Sequence, residues 1–415
     1  MQFHILSFEG PDTYARAGGI ATRVQGLSQS LAAQGFEPHL WFVGDPELPG
    51  HEEVGGVHHH RWCRDLAREY RTGVYDGELA KCDDYARSLP PWLLANVLGP
   101  YLRAGRRAVV LAEEWHTVHA VLHLDWLLRQ EGLRDRVAIL WNANNTFGFE
   151  HIPWRELAAA AEITTVSRYM RHWMRGIDVS AVVIPNGLGA EAFEDADPAA
   201  VTALQAHLRD RVVLSKVARW DRDKAWTSTL DIVELLRQRG QRPLLVARGG
   251  LEAYGAEVLE QARARRLRVT DRWLAGAGPA ALVAAMVGVD DFDIVNLRSA
   301  VDAAARSVLF CGSDVVMANS AHEPFGLVGL EAMAVGGLAC TGATGEDYAM
   351  AGRNAIVVQT SSPVEFVRQF ERVTKSPGAC QRVRAEGRAT ARLFDWGSIV
   401  ERNLLPQVDV SLSRL

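Results

Sequence analysis

Four charged side chains stand out by type and spacing. Arg219 and Lys224 lie five apart in "SKVARWDRDKAW", and Glu323 and Glu331 lie eight apart in "HEPFGLVGLEAMAVGG". Two cations in a turn that follows a parallel strand can hold a diphosphate and stabilise charge on a leaving group. Two carboxylates in an otherwise apolar, glycine-rich stretch can accept hydrogen bonds from hydroxyls. Plainer readings exist for both pairs. Asp221 and Asp223 would neutralise the cations in a solvated loop. The acids would be a capping glutamate and the partner of a buried arginine.

The neighbours of the acids sharpen the first reading. Pro324 fits a helix start and Gly336-Gly337 its end, which leaves Glu323 in the preceding loop and Glu331 inside the helix. Gly326 permits close approach to the backbone, and free N–H groups and the positive end of the helix dipole would point outward there, which suits a phosphate. Gly18-Gly19, just before another helical stretch, is a second possible anion-binding turn. It is not G-x-G-x-x-G, so a nicotinamide or flavin reading lacks support.

Histidines are the remaining chemistry-bearing group. His116, His119 and His123 fall at helical spacing, without HExxH and without a suitably spaced carboxylate. His116 is the one at a strand-to-helix junction. His58-His59-His60 reads as a loop or strand rather than a metal site. "DDFD" at 290–293 reads as a turn, and neither G-x-S-x-G nor a P-loop occurs.

Alternating elements must position these residues. "FHILSFEG", "PHLWFVG", "AVVLAEE", "VAILWNA", "ITTVS" and "AVVIPNG" read as strands, with helices at "IATRVQGLSQSLAAQG" and "HTVHAVLHLDWLLRQEG". After "IPNG" and an Asp197-Pro198 helix start, a second series follows. Its strands are expected at "RVVLSKVA", "RPLLVARGG", "VLFCGSDVVMANS" and "GLACTG", and its helices at "TSTLDIVELLRQRG" and "GLVGLEAMAVGG". The pattern is an α/β chain in two halves meeting near residue 190. "DWGSIVERNLLPQV" is amphipathic.

Bulk properties agree. The 415 residues suit two domains, and 48% apolar with 23% charged residues are ordinary for a globular enzyme. A net charge of −5 speaks against a general nucleic-acid binder. Only Lys81, Lys216, Lys224 and Lys375 are lysines, so a lysine in a motif-like place draws attention. The five cysteines are scattered without CxxC, which disfavours a disulfide framework or zinc ribbon. "MQFHILSFEG" has no basic start or long apolar run, and no apolar stretch of about 18 residues occurs. No transmembrane segment and a cytoplasmic location are expected.

Together these features resemble the retaining glycosyltransferases of the GT-B fold, family 4, with likeness to bacterial glycogen synthases. "HEPFGLVGLEAMAVGG" is similar to the E-x7-E signature and "ARWDRDK" to the R-x4-K pair. "AGG" resembles the glycine loop and "EEWHT" the "DWHT" of glycogen synthases. "TVSRYM", "VIPNG", "TGATGEDYAMAGRNAIVV" and "FDWGSIVERNL" are also family-like. Two departures stand out: Glu113-Glu114 replaces a common histidine-rich run, which bears on acceptor choice, and "ARGG" replaces a G-x-G, which bears on base recognition.

The resemblance implies two Rossmann-like domains facing across a cleft. Residues 1–190 would form the acceptor side, 191–393 the nucleotide-sugar-binding domain, and 394–415 a helix packing back on the N-terminal domain. It implies a hexosyltransferase of the EC 2.4.1 type, moving glucosyl or mannosyl from a nucleoside-diphosphate sugar to a small-molecule or glycan hydroxyl with retention. Arg219 and Lys224 would hold the diphosphate, Glu331 the ribose, and Glu323 and His116 the donor sugar. The Phe325–Leu327 amides would serve sugar and phosphate oxygens, and Gly18 and Gly19 would close over the phosphates. No metal or other cofactor is implied. A phosphorylase or epimerase on the same fold, or a non-catalytic nucleotide-sugar-binding regulator, are the competing expectations.

Overall fold

A computed structural model describes residues 1–414. The chain divides into two compact units, one formed by Met1–Gly187 with the residues from Phe394 on, the other by Leu188–Leu393.

The first unit is built on an eight-stranded sheet. Its strands are β1 (Gln2–Leu6), β2 (Glu37–Val43), β3 (His51–Val54), β4 (Val57–Trp62), β5 (Ala108–Glu113), β6 (Val137–Ala143), β7 (Glu162–Thr165) and β8 (Val182–Val183). They lie in the order β3-β4-β2-β1-β5-β6-β7-β8, and all pairs are parallel except β3 with β4. Every residue of β5 and β6 is buried, as strands covered on both faces must be. The helix Gly19–Ala33 follows β1 and turns Ala21, Val24, Leu27 and Leu31 inward. Gly35, at φ +82°, ends it.

The amphipathic C-terminal segment belongs to this core. Trp396, Ile399, Val400, Leu404 and Val408 pack with Phe3, Ile5, Leu40, Phe42 and Leu111. The indole of Trp396 sits 2.1 Å from where a Cβ on Gly26 would stand and 2.7 Å from one on Gly187. Only glycine fits at either place, so both positions record the seating of that ring.

The second unit carries a seven-stranded parallel sheet. Its strands are β9 (Val212–Val217), β10 (Pro243–Arg248), β11 (Val269–Arg272), β12 (Ile294–Leu297), β13 (Val315–Ala318), β14 (Ala339–Thr341) and β15 (Ile356–Val357). The order is β11-β12-β10-β9-β13-β14-β15. Successive residues alternate between two cores. Leu214 and Leu245 pack with Trp226, Val233 and Phe366, while Val213, Leu244 and Val246 pack with Leu282, Val308 and Leu309.

Several expectations change here. "VLFCG" is the end of a helix, Ala303–Gly312, and only Val315–Ala318 is strand. The Asp302 carboxylate caps that helix by accepting from the Ala305 amide at 2.7 Å, and Ala305, Val308 and Leu309 share its buried face. The helix after Glu323 is Leu327–Ala334, so Pro324 precedes it in the loop rather than starting it. Gly326 forces that start: it holds φ +82°, a left-handed turn. The strand at "AVVIPNG" shrinks to Val182–Val183. Strands β3, β11, β12 and β15 were not expected, and β4 takes up His58-His59-His60, read as a loop or strand. "DDFD" is the turn that leads into β12.

Candidate functional site

In the second unit, β9 ends at Val217 and the chain enters the turn that carries Arg219 and Lys224. Two indoles in contact fix this turn. Trp220 and Trp226 have ring centroids 3.9 Å apart, and Trp226 Nε1 donates to the Arg219 carbonyl at 2.8 Å. A Cβ on Gly249 would meet the Trp220 ring at 2.0 Å. The "ARGG" spacing therefore has a packing cause: its first glycine makes room for Trp220. Asp221 accepts from the Asp223 amide at 2.9 Å, which forms the short 3-10 turn Arg222–Lys224. Neither aspartate neutralises Lys224.

Lys224 Nζ instead donates to Glu323 Oε2 at 2.6 Å, with both side chains about a fifth exposed (21% and 20%). The two loops are also stitched through backbone, since the Ala321 amide donates to the Asp223 carbonyl at 2.7 Å. Arg219 is exposed and makes no side-chain ion pair among the described residues. The basic pair and the first acid thus occupy one neighbourhood at the carboxyl end of the sheet, where α/β units bind ligands.

Glu323 stands just before the helix Leu327–Ala334, whose first amides have no intrahelical acceptor. Phe325 and Gly326 are buried there, and Leu327 is half-buried. Phe325 packs its ring on Tyr348, and the Tyr348 hydroxyl donates to the Gly326 carbonyl. Glu331, one turn into the helix, faces Arg306 of the helix Ala303–Gly312 at 3.4 Å. Burial raises its pKa, against the pull of Arg306. Both acids thus have basic partners outside their own segment; the arginine facing Glu331 is half-buried, not the buried one of the plainer reading.

Two buried charges behind this cluster were not singled out as site residues in the sequence. Lys216 lies inside β9, donates to Asn319 Oδ1 at 2.8 Å, and is pushed down to about 7 by burial. Its rarity among four lysines, inside an apolar strand, was the available signal. Glu346 accepts from the Thr344 amide at 3.0 Å through Oε2, while its Oε1 is buried without a hydrogen-bond partner. Burial first, and then the charge of Glu323, lift it to about 7. A Cβ on Gly326 would meet Glu346 Cγ at 2.7 Å, so this acid lies directly under the helix start.

In the first unit, Gly18, Gly19 and His116 group around Glu9, a residue the sequence did not flag. Glu9 Oε2 accepts from the Gly18 amide at 2.9 Å and the Ala21 amide at 3.1 Å. At the Gly18-Gly19 turn the chain's own carboxylate thus already sits on two amides, those of Gly18 and Ala21. The glycines nonetheless have no packing cause. A Cβ on Gly19 would meet nothing within 4 Å, and one on Gly18 only Glu9 at 3.7 Å.

Tyr75 links Glu9 to His116. Its hydroxyl donates to Glu9 Oε1 at 2.6 Å, and its ring lies 5.6 Å from the imidazole. His116 is clasped by Phe8 at 4.5 Å and Trp115 at 4.2 Å, and its Nε2 bonds Glu78 at 2.7 Å. Burial lowers its pKa, and its Nδ1 is buried without a hydrogen-bond partner. His119 is exposed and His123 Nδ1 bonds the Ala86 carbonyl at 2.9 Å, so the three helical histidines do not converge. Glu113 is satisfied by Arg23 at 2.9 Å and by Asn142 and Asn144 at 2.9 and 2.8 Å. Glu114 holds φ +68° and is raised to about 8, mainly by burial.

Comparison with known proteins places this arrangement in a fold class. Solved structures match over the whole chain and show the two-unit α/β fold of the GT-B type. Sucrose-phosphate synthase from Thermosynechococcus elongatus is 18% identical with a TM-score of 0.67, covering 100% of this chain and 99% of its own. The catalytic domain of starch synthase IV from Arabidopsis thaliana, bound to ADP and acarbose, is 14% identical with a TM-score of 0.70, over 100% and 98%. Anabaena HepE, in complex with UDP and glucose, is 14% identical with a TM-score of 0.63, over 100% of both chains. Residues 217–376 match the family model for glycosyl transferases group 1. No curated protein matches the chain at a significant level. No described helix is long and apolar enough to cross a membrane.

Proposed function

We propose that this protein is a retaining hexosyltransferase that uses a nucleoside-diphosphate sugar, glucosyl or mannosyl, and a hydroxyl acceptor. One observation carries the reading. The turn with Arg219 and Lys224 and the loop with Glu323, nearly a hundred residues later, meet through a 2.6 Å ion pair in front of the helix start at Leu327. The group 1 match spans both segments, and two structures of like fold hold ADP or UDP with a sugar.

The donor is held mainly by the second unit in this reading. Arg219 and Lys224 take the diphosphate, with Glu323 keeping the ammonium in position. The amides of Phe325, Gly326 and Leu327 serve sugar and phosphate oxygens, and Glu331 accepts from ribose hydroxyls. The acceptor oxygen attacks the anomeric carbon on the face from which the phosphate leaves. The C–O bond to phosphate breaks, and the departing phosphate oxygen takes the acceptor's proton. The protein's own contribution is fixed positive charge and positioning.

A thermal-shift screen of ADP-, UDP- and GDP-sugars tests this reading, because a bound donor raises apparent stability by mass action. Release of free hexose and nucleoside diphosphate from the stabilising donor, with acceptor omitted, then marks a transferase that leaks to water. Stabilisation without any turnover would leave the regulator reading standing, and a sugar phosphate or isomerised donor would favour the phosphorylase or epimerase. No metal is required in this proposal, so EDTA leaves turnover unchanged.

A further inference from the structure

The far edge of the first sheet gathers histidines. Strand register places His4 of β1 beside His39 of β2, and His39 beside His58 of β4. In the next row Trp41 lies beside His60, and His60 opposite His51 of β3. Side chains alternate along a strand, so all five histidines share one face while His59 takes the other. The β3–β4 hairpin turns on Gly55-Gly56, at φ +59° and +77°, which sets this register.

The rings form a connected array that grades from buried to exposed. His4, His39 and His60 are buried, His58 is half-buried, and His51 and Glu37 are exposed. His39 stacks on His58 at 4.5 Å, and His60 on Trp41 at 3.6 Å. Glu37 accepts from Gln2 Nε2 at 2.8 Å and lies 3.3 Å from His39 Nε2. One ligand atom each from Glu37, His39 and His58 lies within 4.8 Å of the others.

Stacking alone would account for an aromatic face, but not for a carboxylate at its rim or for the nitrogen pairing beneath. His39 Nδ1 lies 3.1 Å from His60 Nε2, so one of these two nitrogens donates to the other. His58 Nδ1 lies 3.4 Å from His51 Nε2. Imidazoles whose second nitrogen is engaged in this way are oriented as metal ligands are.

We propose that Glu37, His39 and His58 form a site for one borderline divalent cation, of which zinc is the reference case, with water completing the shell. His60 and His51 are positioning residues. The site belongs to the first unit and takes no part in the sugar transfer proposed above.

The test uses the full chain, stripped with EDTA, exchanged into chelator-free buffer and titrated with zinc by calorimetry. Cobalt serves as a spectroscopic probe of coordination number. One saturable equivalent is expected, with a rise in Tm on zinc addition. His58→Gln and Glu37→Gln each weaken binding tenfold or more and abolish that rise, and circular dichroism checks that both fold. His59→Gln, on the opposite face, binds as the parent does. The absence of a saturable equivalent in the parent overturns the proposal, as does unchanged binding in both His58→Gln and Glu37→Gln, or a loss in His59→Gln equal to theirs.

Discussion

The helix starting at Gly19 and the helix starting at Leu327 are made from the same parts: a parallel strand, a loop with a glutamate, a glycine and a row of amides. They differ in what the glutamate does. Glu9 folds back onto the amides of Gly18 and Ala21 and satisfies the helix end internally. Glu323 is drawn to Lys224 at 2.6 Å, beside a glycine that has turned left-handed at φ +82°. A helix start is open to an external anion when the local acid has somewhere better to go. In the second unit a cation from a turn nearly a hundred residues upstream provides that.

Removing the cation should break this contrast most severely. Lys224→Ala is expected to lower kcat by about 10²–10³, the usual scale for one preorganised electrostatic group, measured at saturating donor. Near-full turnover would exclude Lys224 from the chemistry.

The buried acid beneath the same helix start offers a test in stability. Glu346 is lifted from 4.5 to about 7. Between those values the native protein keeps a proton that the unfolded chain has released, so stability falls as pH rises through the window. The full difference is about 3 kcal/mol on the scale of 1.36 kcal/mol per unit. Glu346→Gln should flatten that slope in urea unfolding between pH 4.5 and 8. An unchanged slope would mean the carboxyl is already ionised in the fold.

Glu331→Ala should weaken donor binding by roughly 10–100-fold with less effect on kcat, the range for hydrogen bonds to a charged group. Isothermal titration with the donor checks it, and an unaltered Kd would leave Arg306 as the sole reason for this acid. The glycines separate the two regions last. Gly326→Ala should cost about 1–3 kcal/mol of stability, because its left-handed φ resists a side chain and its Cβ would meet Glu346 Cγ at 2.7 Å. Gly19→Ala should leave the Tm within a degree or two, because a Cβ there would meet nothing within 4 Å. A larger fall in Tm, read by differential scanning calorimetry, would mean that the Gly19 backbone resists a side chain.

Sequence reading went furthest where spacing and residue type coincide. Arg219, Lys224, Glu323 and Glu331 were legible because short-range patterns carry them. The long buried strands β5 and β6 were legible because both faces are covered and the apolar run is unbroken. Glu9, Arg306 and Glu346 were not, since each acts through a partner far away in sequence or through burial that no local pattern reports. Strands β11 and β12 are four residues each, and β11 is only half-buried, so they lack a strong run. The end of the helix Ala303–Gly312, "VLFCG", was misread as strand because a short apolar run fits a buried helix equally well. His58-His59-His60 was rightly placed as strand or loop, but the other histidines sharing its face come from three further strands.

The seating of Trp396 against Gly26 and Gly187 has a consequence for biogenesis. The groove that receives it is translated early, and the ribosome then spends over two hundred residues on the second unit before the plug emerges. At about 5–20 residues per second, that leaves an apolar slot open on the nascent chain for roughly ten to forty seconds. During that interval the slot is a natural landing place for a chaperone, and a stalled chain lacking the final segment would be a substrate for quality control.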